Sequence, residues 1–213
     1  MCLFTKLIPN KRYRPTKKNG GKVPPLPLNK KGEPDTRVLV APRTCGKCME
    51  CKRKLGFEWI VRLSEELKVR KNAHFVTLTF SDESIYELSQ DIPKEIKGYT
   101  KDNRIAILAV KRFRERWRKL HGKSVRRWLI TELGHKGTEN IHLHGLIWTD
   151  KPQDIAKIWK YGFVWNSYDH KGYVNEKTIS YIVKYVSKID PKHKYYKPRI
   201  LNSPGIGESF LHT

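Results

Sequence analysis

The chain has 213 residues, enough for one well-buried core with an appendage and short for two full domains. Lys and Arg number 44 against 21 Asp and Glu, a formal charge of +23. That excess argues against an enzyme of neutral small molecules and predicts a polyanionic partner, nucleic acid or an anionic membrane surface. Membrane residence is not expected, because the longest strongly apolar run, "IAILAV" at 105–110, is far too short to span a bilayer. The opening "MCLFTKLIPNKRYR" has no apolar secretory region ahead of its basic residues. A reducing cytosol is therefore the expected compartment, and the four cysteines are expected as metal ligands or free thiols rather than disulfides.

In chain order, residues 10–43 read as an irregular basic arm, with Pro, Gly and Lys and no sustained period. The arm is assigned to 1–44 and a single folded domain to 45–213. "CGKCMEC" at 45–51 leads into a predicted helix running to about Val69, with Leu55, Trp59, Leu63 and Leu67 on one buried face. "HFVTLTF" at 74–80 alternates as a strand and ends in a Ser-Asp turn signal. Residues 104–120 form a second helix with Ile105, Leu108, Phe113, Trp117 and Leu120 inward. "VRRWLITELG" and "IHLHGLIW" are strands joined by the polar "HKGTEN", a hairpin signature. "PQDIAKIWKYG" is a short helix starting at Pro152, with Gly162 as its C-cap, and "FVWNSY" is a further strand. A third long helix covers about 176–189 and stops before Pro191. Intermixed elements and a hairpin favour an α+β domain on an antiparallel sheet over a doubly wound parallel one.

Residues two apart in a strand face the same side, so His142 and His144 project together, while Ile141, Leu143 and Gly145 line the other face. If the hairpin pairs residues whose numbers sum to 276, Glu132 lies opposite His144 on the same side as both histidines. Any even sum keeps that side. A His-His-Glu set suits Mn²⁺ and similar ions, with Mg²⁺ admitted by abundance. The competing reading is two satisfied histidines on a solvent face.

In "ISYIVKYVSKI", Ile179, Ile182, Val183, Val186 and Ile189 make one apolar stripe. Tyr181, Lys184, Tyr185 and Lys188 fall on a separate face. A tyrosine can be a covalent nucleophile toward phosphorus, but its ordinary pKa of about 10 calls for a nearby cation. Lys184 or a metal meets that need. The competing reading is a solvated amphipathic face. Cys45, Cys48 and Cys51 can wrap a Zn²⁺ if Cys2 supplies the fourth ligand. An iron–sulfur centre and three reduced thiols stay open beside it.

"IHLHG" and "YIVKYVSK" together resemble the paired motifs of HUH endonucleases. "FVTLTF" is similar to a strand of the replication-initiator class. With "MCL…IPN", "CGKCMECKR", "GFVW" and "SPGIG", the chain resembles the rolling-circle replication initiators of the gokushovirus branch of the microviruses over nearly its whole length. The resemblance implies a HUH domain with a five-stranded antiparallel sheet flanked by helices, a divalent metal and a 5′-phosphotyrosine intermediate. It implies metal-ligand roles for His142 and His144, with Glu132 preferred to the loop residue Glu139 as third ligand. It implies nucleophile roles for Tyr181 and Tyr185, and Tyr181-x-x-Lys184 resembles the motif of single-tyrosine initiators. The expected partners are single-stranded DNA at a replication origin and the host replication machinery, in the cytoplasm of a bacterial host. A transposase or relaxase, and a non-catalytic zinc-bearing nucleic-acid-binding module, are the alternatives.

Residues 111–127 hold nine Lys or Arg against one acid, Glu115, and are read as phosphate contacts, with Phe113 and Trp117 as core. "KHKYYKPR" at 192–199 is a second basic-aromatic stretch suited to single-stranded DNA.

Overall fold

The computed structural model describes residues 2–134, 139–169, 174–188 and 190–208. The elements in chain order are β1 (Lys6–Pro9), β2 (Val40–Arg43), α1 (Met49–Val69), β3 (Ala73–Leu78), α2 (Asp82–Gln90), α3 (Gly98–His121), β4 (Arg126–Leu133), β5 (Ile141–Trp148), α4 (Gln153–Ile158), β6 (Val164–Asn166), α5 (Glu176–Ser187) and β7 (Ile200–Asn202). The chain divides into two compact units, Met1–Lys54 and Leu55–Thr213. The division lies within α1, so the first unit extends past the composition boundary at residue 44 and takes in the cysteines.

The first unit is more ordered than its composition suggests. β1 and β2 pair antiparallel, with Lys6 opposite Arg43 and Pro9 opposite Val40. A two-stranded ribbon leaves each strand a free edge, which is where Pro9 and Pro42 are tolerated. Three short 3₁₀ turns follow from their caps: Asn10, the Thr16–Asn19 capping box and Asp35 each receive a backbone N–H at the turn start. These polar caps give 10–43 local order without a hydrophobic period, which is why it reads as irregular.

The second unit is built on an antiparallel sheet of five strands in the order β6-β3-β5-β4-β7, the α+β architecture expected from the hairpin. The pleat sends alternate side chains to two separate cores. On one face Val76, Leu78, Leu129, Leu133, Leu143 and Ile147 pack against Ile105, Ala109, Phe113 and Trp117 of α3. On the other, Trp128, Ile130, Leu146 and Trp148 meet Trp59 and Leu63 of α1 and Ile179, Ile182, Val183 and Val186 of α5. Each fully buried large side chain contributes about 1.5–3 kcal/mol. At Gly145, in the middle of β5, a Cβ would stand 2.0 Å from the Trp128 carbonyl oxygen, so the central pairing closes only around glycine.

Several elements depart from the sequence reading. α2 lies where a turn is predicted, because Ser81 is a helix N-cap that accepts a bond from the Ser84 N–H at 3.2 Å. α4 ends at Trp159, and Gly162 instead lets the chain pass β3, since a Cβ there would meet the Thr79 carbonyl oxygen at 2.6 Å. Leu55 and Leu120 are exposed. α1 instead buries Gly56, Trp59, Leu63 and Glu66, rotating the inward face toward a charge. β7, three residues long, has no periodicity to read. Ile189 lies outside the described residues.

Glu66 explains part of "SPGIG". Its carboxylate accepts from Arg126 through both oxygens at 2.5 and 2.8 Å, from Arg70 at 2.8 Å and from the Gly207 N–H at 2.9 Å. Arg126 also donates to the Gly205 carbonyl at 2.6 Å. Gly207 has φ of 68° and no room for a Cβ beside the Arg62 carbonyl, so 203–207 is fastened to α1 and β4 through a glycine turn.

Candidate functional site

β4 and β5 place three polar side chains among the apolar ones of the second face. The register pairs Glu132 with His142 and Ile130 with His144. The hairpin is therefore one pair away from the expected Glu132–His144 opposition, but the sum stays even and all three side chains share a face. Glu132 Oε2 lies 3.3 Å from His142 Nε2 and 3.0 Å from His144 Nε2. His142 Nδ1 is 3.2 Å from the Asn140 carbonyl, which can only accept, so Nδ1 carries the proton and Nε2 offers its lone pair. His144 Nδ1 lies 3.0 Å from Thr77 Oγ1 on β3. Burial lowers the His144 pKa, opposed by its bond to Glu132, and so favours the neutral imidazole that a metal takes. Burial alone would raise the Glu132 pKa. Hydrogen bonds from His142, His144 and Lys188 outweigh it and hold the carboxyl below the usual carboxylate range. Lys188 Nζ sits 2.5 Å from Glu132 Oε1.

Two nitrogens and a carboxylate oxygen at these separations fit a divalent ion. Neighbouring ligands on an octahedral ion with bonds of about 2.1 Å stand about 3 Å apart. Among the described residues, Glu132, His142 and His144 are one of two groups able to hold a metal. Glu139 is turned elsewhere, to Lys192 and to His193 Nε2 at 3.1 Å. Thr77 and Lys188 belong to the site although sequence reasoning did not assign them. Thr77 was within reach of the strand-parity rule, because "HFVTLTF" puts it on the same side as Phe75.

The tyrosine helix is started by an Asn175–Thr178 capping box and lies over this face. The structure separates the two phenols. Tyr181 is 43% exposed, whereas Tyr185 is only 6% exposed and stacks on the His144 ring at 4.8 Å with an interplanar angle of 6°. Placing Tyr185 outside the core is thus corrected, since the sheet extends under α5 beyond the helix's own apolar stripe. Tyr185 donates its hydroxyl to the Tyr181 oxygen at 2.9 Å. Burial, then this bond and the Glu132 charge, push the Tyr185 pKa well above its ordinary value. Lys184 Nζ stands 3.8 Å from the Tyr181 ring centre, and Phe75 packs edge-on against the same ring at 5.9 Å.

The second metal-capable group lies in the first unit. The sulfurs of Cys2, Cys45, Cys48 and Cys51 all fall within 4.8 Å of one another, and all four are free thiols. The Cys45 N–H bond is the main cause that lowers Cys2 to about 6, and the Leu3 backbone does the same for Cys48. Burial raises Cys51 to about 12.

The basic stretches divide between solvent and structure. In 111–127, Arg126 is bound to Glu66, Arg127 is buried beside Ser203, Arg116 stacks over Tyr161 at 4.9 Å and Arg112 pairs with Asp91 at 2.6 Å. Lys119 and Lys123 are exposed, and Phe113 and Trp117 are core as predicted. In 192–199, Tyr195 is exposed while His193 and Tyr196 are buried. Among the described residues no helix is long and apolar enough to cross a membrane.

Fold and site together define an α+β protein whose central hairpin carries a His-x-His and a glutamate beneath a tyrosine helix. The model of the replication-associated protein ORF2 family matches residues 73–190, more than half of the chain and the whole of this arrangement. The chain belongs to that family. Among solved structures, the catalytic domain of the adeno-associated virus type 5 Rep protein is similar at 12% identity, over 54% of this chain and 96% of that one, with a TM-score of 0.27. No curated protein matches.

Proposed function

We propose that the chain is a rolling-circle replication initiator of the microvirus type, which nicks and rejoins single-stranded DNA at an origin through a phosphotyrosine. The observation that carries this reading is the stacking of Tyr185 on His144, which puts both phenols beside the Glu132–His142–His144 set. Family membership supports a replication role, and the +23 charge suits a nucleic-acid partner. Mn²⁺ or Mg²⁺ bound by those three ligands would supply Lewis-acid polarisation of the scissile phosphate.

Tyr181 is the first nucleophile. Its oxygen is exposed and accepts the Tyr185 proton donor, so negative charge developing there is already solvated by a protein group. Lys184 adds a cation against the same ring. The Tyr181 oxygen forms a bond to phosphorus as the bond to the 3′ oxygen breaks. The departing oxygen takes up a proton and leaves as a 3′-hydroxyl for the host polymerase. The 5′ phosphate stays on the tyrosine. Tyr185 serves the second transfer, cutting the regenerated origin. The released 3′-hydroxyl then attacks the first phosphotyrosine and closes the circle.

Incubation with single-stranded origin oligonucleotides and Mn²⁺, followed by a denaturing gel, tests the reading. A covalent adduct is expected, with the DNA-linked peptide modified at Tyr181. It should vanish in EDTA and in the His142→Ala and His144→Ala variants, while most DNA affinity persists. A peptide modified at neither tyrosine, or full cleavage by the double histidine variant in EDTA, removes the mechanism. A zinc-bearing binding module would give no adduct.

A further inference from the structure

We infer that Met1–Lys54 is a zinc-organised unit, in which Cys2, Cys45, Cys48 and Cys51 bind one Zn²⁺ as thiolates. The inference stands apart from the proposed catalysis. It begins with what the unit lacks. Among its described residues Cys48 alone is buried, and Leu3, Phe4, Leu7, Val23, Leu28 and Leu39 are exposed. A unit of this size without a hydrophobic core needs another source of stability, either a disulfide, a metal or a partner. It also carries 15 Lys or Arg against three acids, so its surface charge opposes compaction.

The four sulfurs are gathered for a metal rather than paired. Cys2 and Cys48 are 3.9 Å apart, and so are Cys45 and Cys51. Disulfide sulfurs stand about 2.05 Å apart. Four ligands at about 2.3 Å from a tetrahedral Zn²⁺ stand about 3.8 Å apart. The observed separations meet the second requirement. A multi-iron cluster would stand between the thiols and force them wider than the 4.8 Å that contains them all.

The backbone is set for thiolates. The N–H groups of Lys47 and Cys48 point at Cys45 Sγ at 3.4 and 3.3 Å, and the Cys45 N–H points at Cys2 Sγ at 3.3 Å. Gly46, at φ of 67°, makes the turn that aims two of them. Cys2 comes from the far end of the unit, so one ion would close the chain from residue 2 to the start of α1. The closed segment contains the β1–β2 ribbon and all three capped turns, which explains how a coreless segment keeps one shape.

Metal analysis of the full chain, purified under reducing conditions without added metal, is expected to find about one tightly held zinc per chain. The His142→Ala/His144→Ala variant should retain it and Cys48→Ser should lose it. Cobalt exchanged into the wild-type chain should give the intense visible and near-ultraviolet absorption of a tetrathiolate site. Strong chelation of the wild-type chain should expose 1–54 to proteolysis before the rest, a readout that does not depend on a variant folding. Absence of metal with no tetrathiolate cobalt spectrum, iron in place of zinc, or zinc lost with the histidines and kept in Cys48→Ser would each overturn the assignment.

Discussion

Replacing Tyr185 by Phe removes one hydroxyl and leaves the ring that stacks on His144. The lost group is the donor held 2.9 Å from the Tyr181 oxygen. A hydrogen bond to a neutral acceptor contributes about 0.5–1.5 kcal/mol, and one to a charged acceptor about 1.5–3 kcal/mol. The bond therefore strengthens by roughly 1–1.5 kcal/mol as the Tyr181 oxygen becomes anionic during attack. The first cleavage by Tyr185→Phe should slow by about 5–13-fold. Burial and the neighbouring charges hold the Tyr185 pKa well above its ordinary value, so this phenol keeps its proton across neutral pH. The ratio of wild-type to variant rates should consequently stay flat from about pH 6 to 9. Single-turnover formation of the covalent adduct on a labelled origin oligonucleotide measures this directly, and a second origin strand reports the transfer step, which the variant should fail. An unchanged first rate would show that the phenol–phenol bond has no part in the attack. Complete loss of the first adduct would make Tyr185 itself the first nucleophile.

Glu66→Ala should cost about 3–5 kcal/mol, because it leaves Arg126 with its buried partner removed, and should lower the Tm by about 6–20 °C at neutral pH. Burial works to raise the Glu66 pKa, but Arg126, the Gly207 N–H and Arg70 hold it below the usual range. A carboxyl depressed in the folded state stabilises fully above its unfolded value of about 4.3 and loses that contribution as pH falls through the folded value. The Tm gap between wild type and variant should thus narrow on acidification below about pH 4, and a gap that widens would contradict the assignment. Single-strand affinity should fall with salt at a log–log slope of about −0.7 per phosphate contacted. Substituting exposed Lys119 or Lys123 with Ala should flatten that slope where the residue meets DNA, whereas Arg126→Ala should change stability instead; a flat salt response for the wild-type chain would show the basic segments misread.

What could be read from the sequence follows physical locality. Strand alternation depends on adjacent residues, so the shared face of His142, His144 and Glu132 was legible from parity alone. The exact opposition was not, because it is set by a loop whose residues 135–138 carry no pairing signal. A helical wheel placed Tyr181 correctly outside the apolar stripe. It failed for Tyr185 because what buries that ring, the His144 imidazole, sits 41 positions away in the sequence. Glu66 was invisible for the same reason. A carboxylate on a helix reads as solvent-facing until Arg126 and the Gly207 N–H are brought to it. α2 was lost to local ambiguity, since Ser-Asp begins a turn and a helix equally well.

Lys188, the residue that follows the last turn of α5, bonds the metal-facing carboxylate of Glu132. The helix that carries the phenols is thus tethered at its end to the set they must serve. Such a tether works as a gauge. Each residue added to or removed from the stretch between Tyr181 and Lys188 would turn the phenols by about 100° and displace them by about 1.5 Å relative to the histidines. Side chains on the outer surface of that stretch can therefore vary in kind, while the count of residues along it is held constant by the chemistry it measures out.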